Sequence, residues 1–176
     1  GRLSSSEPNL QNIPIRDDEG RSLRKIFVSK FENGRIISAD YNQIELRLLA
    51  SFSNDENMIE AYKNNVDIHT LTASQIFKVS INEVDSKMRR DAKAVNFGIV
   101  YGISDFGLAT NIGTSRKQAK NYIDKYFENY PSVKAYMDKN IEKAKKDGYV
   151  KTIFGRIRNI PEISASNYQL RQFGER

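Results

Sequence analysis

The chain has 176 residues, with 28 Lys plus Arg against 22 Asp plus Glu, a formal net charge of +6 and a pI near 9.4. A hydrophobic content of 39% with 10% aromatics suffices for a core and excludes wholesale disorder, the absence of Cys excludes disulfide scaffolds, thiolate zinc sites and thiol nucleophiles, and a single His excludes most histidine-built metal sites and leaves little room for a Ser-His-Asp triad. No apolar run approaches the roughly 18 residues of a membrane span and no signal-peptide pattern opens the chain, so the sequence reads as a soluble, cytoplasmic, moderately basic protein of one to one and a half domains at roughly 150 residues each.

Residues 1–24 are loop-like, punctuated by Ser4-Ser5-Ser6, Glu7-Pro8-Asn9, Ile13-Pro14 and Asp17-Asp18-Glu19-Gly20, with no internal repeat. Arg35 to Tyr41 reads as a strand after the Asn33-Gly34 turn. A helix over residues 42–52 places Ile44, Leu48 and Leu49 on one side, and Ser53-Asn54-Asp55 stops it and caps the next. Helices over 55–64 and 67–77 follow. Ser80-Ile81-Asn82-Glu83 fits a capping box ahead of a long helix over 86–101. Gly102 and Gly113 punctuate the next stretch. Thr114 is placed to cap a helix over 115–129, where Ala119, Tyr122, Ile123, Tyr126 and Phe127 recur at helical spacing. Pro131 breaks that helix, another spans 132–147 with Gly148 as its stop, and Tyr149 to Phe154 reads as a short strand before a turn at Gly155-Arg156. The tail from Ser164 is polar and rich in Gln and Arg. The chain starts at Gly rather than Met and ends at Gly-Glu-Arg without a clear stop, and it reads as a piece of something longer. The fold class is α+β, mostly helical.

Two places carry chemistry. Asp40 ends the apolar strand Ile36–Ala39, which would hold its carboxylate at a cleft, a good pose for a hard cation such as Mg²⁺; as an Asp before a helix it equally suits a plain cap. On the following helix Glu45 and Arg47 stand two residues apart and do not face each other, so a local ion pair does not account for both. On the long helix, Met88, Ala92, Val95 and Ile99 form an apolar stripe, while Arg89, Lys93, Phe97 and Tyr101 recur every four residues as a second ridge. Two cations suit a polyphosphate and two rings offer faces for a base, against the plainer reading of one core face and one solvated face. Gly98 and Gly102 beside the rings cost about 1 kcal/mol each in helix propensity, which makes sense if something packs closely there.

The string Asp40-Tyr41-Asn42-Gln43-Ile44-Glu45-Leu46-Arg47 closely resembles motif A of the family A (DNA polymerase I-like) DNA polymerases, and Arg89-x-x-x-Lys93-x-x-x-Phe97-Gly98-x-x-Tyr101-Gly102 resembles their motif B. Gly1-Arg2-Leu3-Ser4-Ser5 and Pro8-Asn9-Leu10-Gln11-Asn12-Ile13-Pro14 resemble the segment that opens the palm, and Asp67-Ile68-His69 and Tyr130-Pro131 also fall where the family has them. The resemblance is colinear over essentially the whole chain. It implies fingers helices plus an incomplete palm sheet: a palm portion over 1–54 with motif A, fingers over 55–147 with motif B, and a return towards the palm over 148–176. It implies that Asp40 is one of two catalytic aspartates holding a pair of Mg²⁺ ions, with the Tyr41 carbonyl as a further ligand, and that Glu45 sits against the incoming sugar and excludes a 2′-hydroxyl. Gln43 and Arg47 would lie near the active site. His69, Arg89 and Lys93 would grip the triphosphate of the dNTP, Phe97 would pack on its sugar and base, and Tyr101 would stack near the templating base. Phe rather than Tyr at position 97 suggests selection against dideoxy substrates. Arg2, Asn9, Gln11 and Arg176 would contact primer–template DNA.

Asn42 stands where the family usually has Ser, a small polar exchange of little expected consequence. The family's motif C, a His-Asp-Glu turn that supplies the second metal-binding aspartate, is absent from these residues, so the chain by itself is expected to be inactive. Lacking the strands that motif C builds, residues 35–41 would expose a sheet edge, and either a dimer through that palm edge or a loosened palm portion is expected, with no membrane partner. Two other classes fit the composition: a non-catalytic DNA-binding module built on the basic helix, and a structural helical domain. Asp40 and Glu45 argue against the first, because a pure phosphate binder would not turn carboxylates towards its ligand.

Overall fold

A computed structural model of the chain describes residues 3–14 and 17–176. Two compact units divide it, Gly1–Asn42 and Gln43–Arg176.

The first unit is held by local contacts. Asn9 caps a 3₁₀ turn at Leu10–Asn12, its Oδ1 accepting from the Gln11 N–H at 3.0 Å, and Gln11 Nε2 donates to the Leu3 carbonyl at 2.9 Å. Asp17 caps helix α1 (Asp18–Leu23), which runs into a second 3₁₀ turn at Arg24–Ile26. The sequence reading missed α1, because six residues are too few to show a helical period. Residues 35–41 belong to no ladder, and Ile36 and Ile37 are 62% and 89% exposed. The expected strand is therefore absent. A β-rich composition makes a strand only when a second segment supplies hydrogen-bond partners, and the described residues hold one ladder, which lies elsewhere.

The second unit is a helical assembly. It comprises α2 (Ile44–Ser53), α3 (Glu56–Lys63), α4 (Ile68–Phe77), α5 (Ser86–Val100), α6 (Asp105–Ile112), α7 (Arg116–Asn129), α8 (Pro131–Asp147) and α9 (Tyr168–Glu175). Side-chain oxygens do most of the capping: Asp55, Asp67, Asp85, Ser104, Ser115 and Asn167 each accept a backbone N–H from the first turn. Ser115 and not Thr114 caps α7, its hydroxyl oxygen accepting from the Gln118 N–H at 3.2 Å, while the Thr114 N–H closes α6 onto the Ala109 carbonyl at 3.0 Å. Pro131 is the first residue of α8, where its missing N–H costs nothing. Asp55 serves two helices from inside the core: 1% exposed, it accepts from Met58 N–H of α3 at 3.1 Å and from Ser132 N–H of α8 at 3.2 Å.

Helix α5 is central. Its stripe of Ala92, Val95 and Ile99 is buried and Met88 is half-buried, and its most extensive neighbour is α4, which buries Ile68, Thr72, Ala73 and Ile76 in the same core. Helix α7 adds the expected aromatic face, where Tyr126 meets Tyr130 at 4.8 Å between ring centres and Phe127 edge-on at 5.6 Å. After Gly148, β1 (Tyr149–Lys151) pairs antiparallel with β2 (Ile157–Asn159), Lys151 opposite Ile157. The fold is mostly helical with one small two-stranded sheet. The sequence reading found the first of these strands and missed α6, β2 and α9, all short.

Candidate nucleotide-binding face

The outer ridge of α5 is the most functional-looking surface of the second unit. Arg89 and Lys93 are exposed, Phe97 is half-buried and Tyr101 is 58% exposed, so the four residues expected on one ridge do share it. Arg89 is not a loose cation. Its Nε and Nη2 both donate to Asp67 Oδ2, at 3.1 and 2.6 Å, while Asp67 Oδ1 caps α4 by accepting from His69 N–H and Thr70 N–H. One carboxylate thus fastens the start of α4 to the first turn of α5. Burial works to raise the Asp67 pKa, but the guanidinium and the two N–H donors outweigh it and hold the carboxyl below its ordinary value. Lys93 has no acid partner among the described residues, and its Nζ stands 5.9 Å from the centre of the Phe97 ring.

Lys93, Phe97 and Tyr101 line an open groove of about 600 Å³ together with Arg90, Asn111 and Arg176. Three cationic side chains and no acidic side chain line it, so the side-chain field favours an anion, and the rings give a flat apolar wall beside the charge. The end of α5 shapes this groove. Gly102 takes the left-handed conformation at φ +67°, its N–H bonds the Ile99 carbonyl at 3.0 Å and the Ile103 N–H bonds the Gly98 carbonyl at 2.8 Å, the paired closure that frees Tyr101 at the helix exit. A Cβ at Gly102 would also sit 3.2 Å from three carbons of Arg176, so α9 delivers Arg176 to the groove against a bare backbone. Gly98 has the close packing expected beside it. A Cβ there would lie 2.6 Å from Ile103 Cγ2, so the close neighbour is the chain's own Ile103 rather than a ligand.

His69, expected on the triphosphate, is 2% exposed. Its Nδ1 meets Asn96 Nδ2 at 3.0 Å, Asn96 Oδ1 accepts from the Thr72 hydroxyl at 3.1 Å, and its ring centre lies 5.7 Å from that of Phe97. In this conformation the imidazole backs Phe97 instead of facing solvent, because the α4–α5 interface closes over it. Burial, with Arg89 and Lys93 nearby, pushes its pKa below the ordinary value despite the opposing pull of Asp67, so the ring is neutral at pH 7.

At the start of α2, Gln43 adopts a left-handed backbone at φ 53° and forms the cap position, which removes the reading of Asp40 as a helix cap. The Tyr62 hydroxyl donates to Gln43 Oε1 at 3.3 Å, and the Arg47 guanidinium lies 4.5 Å from the centre of the Tyr62 ring. Burial raises the Tyr62 pKa to about 12, so it remains a neutral donor. Glu45 is half-buried in the first turn, where a carboxylate suits the helix dipole. Asp40, Tyr41, Asn9 and Gln11 belong to the first unit and are exposed there, with Asn9 and Gln11 engaged in the local bonds given above. Arg2 lies outside the described residues. Among the described residues no group of three or more His, Cys, Asp or Glu gathers as a metal cluster, at Asp40 or elsewhere. No described helix is long and apolar enough to cross a membrane.

Sequence reasoning missed the residues that hold this face in place. Asp67 announces itself as a cap two residues before His69, but its grip on Arg89 joins positions 22 apart. Asn96 interrupts an otherwise apolar face directly after Val95, a signal that marks a buried polar contact without naming its partner.

A helical unit whose central helix presents cations and then rings along one edge, ending in a positive groove, is suited to an anion that carries a flat apolar part. The family model for DNA polymerase family A matches residues 1–176, and the chain belongs to that family. It is 56% identical to DNA polymerase I of Bacillus subtilis over 176 residues, which is 100% of this chain and 20% of that protein, and 55% identical to DNA polymerase I of Bacillus caldotenax with the same coverage. Among solved structures it is similar to the POL domain of Pol1 from M. smegmatis in complex with DNA primer-template and dNTP, with a TM-score of 0.87, 43% identity and coverage of 99% of this chain and 31% of that one. The chain spans about a fifth of the length of the curated relatives it matches.

Proposed function

We infer that this chain is the dNTP-binding and primer-template-contacting segment of a DNA-directed DNA polymerase, and that in the intact enzyme it takes part in template-directed transfer of a nucleotide from dNTP to a primer 3′ end during DNA replication or repair. The observation that carries this reading is the groove without acidic side chains in which Lys93 and Phe97 of α5 and Tyr101 at its end stand together with Arg176. Lys93 meets the triphosphate as a point charge and Arg89, pre-oriented by Asp67, adds a guanidinium at the same edge. Phe97 packs on the incoming sugar and base, with His69 behind it, and Tyr101 stacks near the templating base. Glu45 and Gln43, set by the start of α2, face the sugar, where Glu45 excludes a 2′-hydroxyl. Asn9, Gln11, Arg2 and Arg176 contact the primer-template. The similar M. smegmatis structure, solved with primer-template and dNTP, supports this assignment of ligands.

Asp40 and the Tyr41 carbonyl would hold Mg²⁺, which supplies neutralisation of phosphate charge and, as a pair, stabilises the attacking and leaving oxygens. One carboxylate does not fix two ions, and we take the second aspartate of the pair to lie outside these residues. We assign 1–54 to the palm, 55–147 to the fingers and 148–176 to the return towards the palm. The test is a dNTP titration of the purified chain followed by Tyr fluorescence. A saturable response that weakens in Lys93→Ala supports the reading, whereas salt-dependent duplex binding with no dNTP effect favours a plain DNA-binding module. Primer extension by this chain with dNTPs and Mg²⁺ is expected to fail, and robust templated extension would overturn the incomplete metal site.

A further inference from the structure

The hairpin β1–β2 has no part in the groove of α5, yet its tip is the most exposed apolar feature of the second unit. Phe154 is 94% exposed and Ile153 69%. Cations flank them: Lys151 ends β1 and Arg156 opens the return, both exposed and neither paired with a carboxylate among the described residues. The helix leading into the hairpin adds exposed Lys143 and Lys146 in its last turns, likewise unpaired. The tip is ordered by its own bonds. Thr152 N–H donates to the Arg156 carbonyl at 2.9 Å, Gly155 N–H donates to the Thr152 carbonyl at 2.9 Å, and Arg156 N–H donates to Thr152 Oγ1 at 3.1 Å.

A bare aromatic ring flanked along the chain by unpaired cations on a pre-ordered turn is a poor solvent surface and a good platform. We propose that the β1–β2 hairpin is a second nucleic-acid contact, in which Phe154 stacks on an unpaired base while Lys151 and Arg156 take the phosphates on either side. The charge selects a polyanion and the ring selects a free base face, because the bases of a duplex are already stacked and show only their edges. Ordering of the tip before binding reduces the entropy lost on association. The choice of nucleic acid over an anionic membrane, which the same chemistry could meet, rests on the polymerase reading above.

The test measures binding of a labelled oligo-dT, a duplex of the same length and vesicles of phosphatidylserine and phosphatidylcholine to the 176-residue chain, to F154A and to K151E/R156E. All three side chains are exposed, so thermal unfolding followed by circular dichroism should be unchanged in the variants. F154A should weaken oligo-dT binding about 5- to 150-fold, the range for one lost stacked base, and leave duplex binding unchanged. K151E/R156E should reduce the slope of log K against log salt by about 1.4 or more, for two lost single-strand phosphate contacts. Wild-type oligo-dT affinity in both variants, equal losses for duplex and single strand in F154A, or a loss confined to vesicles would each overturn the proposal. The dNTP response separates it from the parent reading: F154A should keep that response and Lys93→Ala should weaken it, so a missing dNTP response in the unaltered chain strikes the α5 face and leaves the oligonucleotide result to stand by itself.

Discussion

Residues 3–42 and 43–176 both carry large apolar side chains, yet they use them differently. In the second unit Leu46, Met58, Ile68, Val95, Leu108 and Tyr126 are fully buried. In the first, Leu3, Leu10, Ile26, Val28, Phe31, Ile36 and Ile37 are all more than half exposed, and Gly20 is its one residue classed as buried among those described. A helix satisfies its backbone by itself and needs only one packed face, so the helices close a core. An extended segment satisfies neither its backbone nor its side chains until a neighbour arrives. The contrast teaches that apolar composition measures what a segment can bury, not what it has buried.

Four experiments break or sharpen that contrast. The largest effect is expected in the core. Leu46→Ala should lower unfolding stability by about 2–5 kcal/mol with an unchanged denaturant slope, while Ile37→Ala should stay within about 0.5 kcal/mol. Equal effects at the two positions would mean that residues 35–41 are packed in solution. Next comes Asp55→Ala, which leaves Met58 N–H and Ser132 N–H without their acceptor and should cost about 2–3 kcal/mol; a loss below about 0.5 kcal/mol would show that water replaces the carboxylate. Amide exchange should be fast across residues 35–41 and slow across α4 and α5. Strong protection at 35–41 together with a dimer by light scattering would instead show that the edge pairs with a second copy.

The smallest effect is a pH dependence. His69 has its folded pKa depressed below 6.5, so below that pH the unfolded chain binds the proton first and stability falls as the pH drops. The Asp67 pKa is also depressed, so its contribution is present above about 3.8 and is lost as the pH falls further through the folded value. Urea midpoints should therefore decline from pH 6.5 to 5, and His69→Gln should flatten that decline. An unchanged slope in the variant would mean that the imidazole is not desolvated.

Most of what the sequence determined is short in range. The helices of the second unit longer than eight residues, the Asn54-Asp55 stop and cap, the Ser80–Glu83 box and the shared face of Arg89, Lys93, Phe97 and Tyr101 follow from periodicity and capping chemistry within a few residues of each position. Tertiary structure decided whatever depends on a distant partner. It left Arg35–Tyr41 without a ladder, filled the space beside Gly98 with Ile103, buried His69 against Asn96 and brought Arg176 against Gly102. A helical turn closes its hydrogen bonds over four residues, so the sequence shows it directly. A ladder, a buried imidazole or a close backbone approach depends on which remote segment arrives, and local pattern does not encode that.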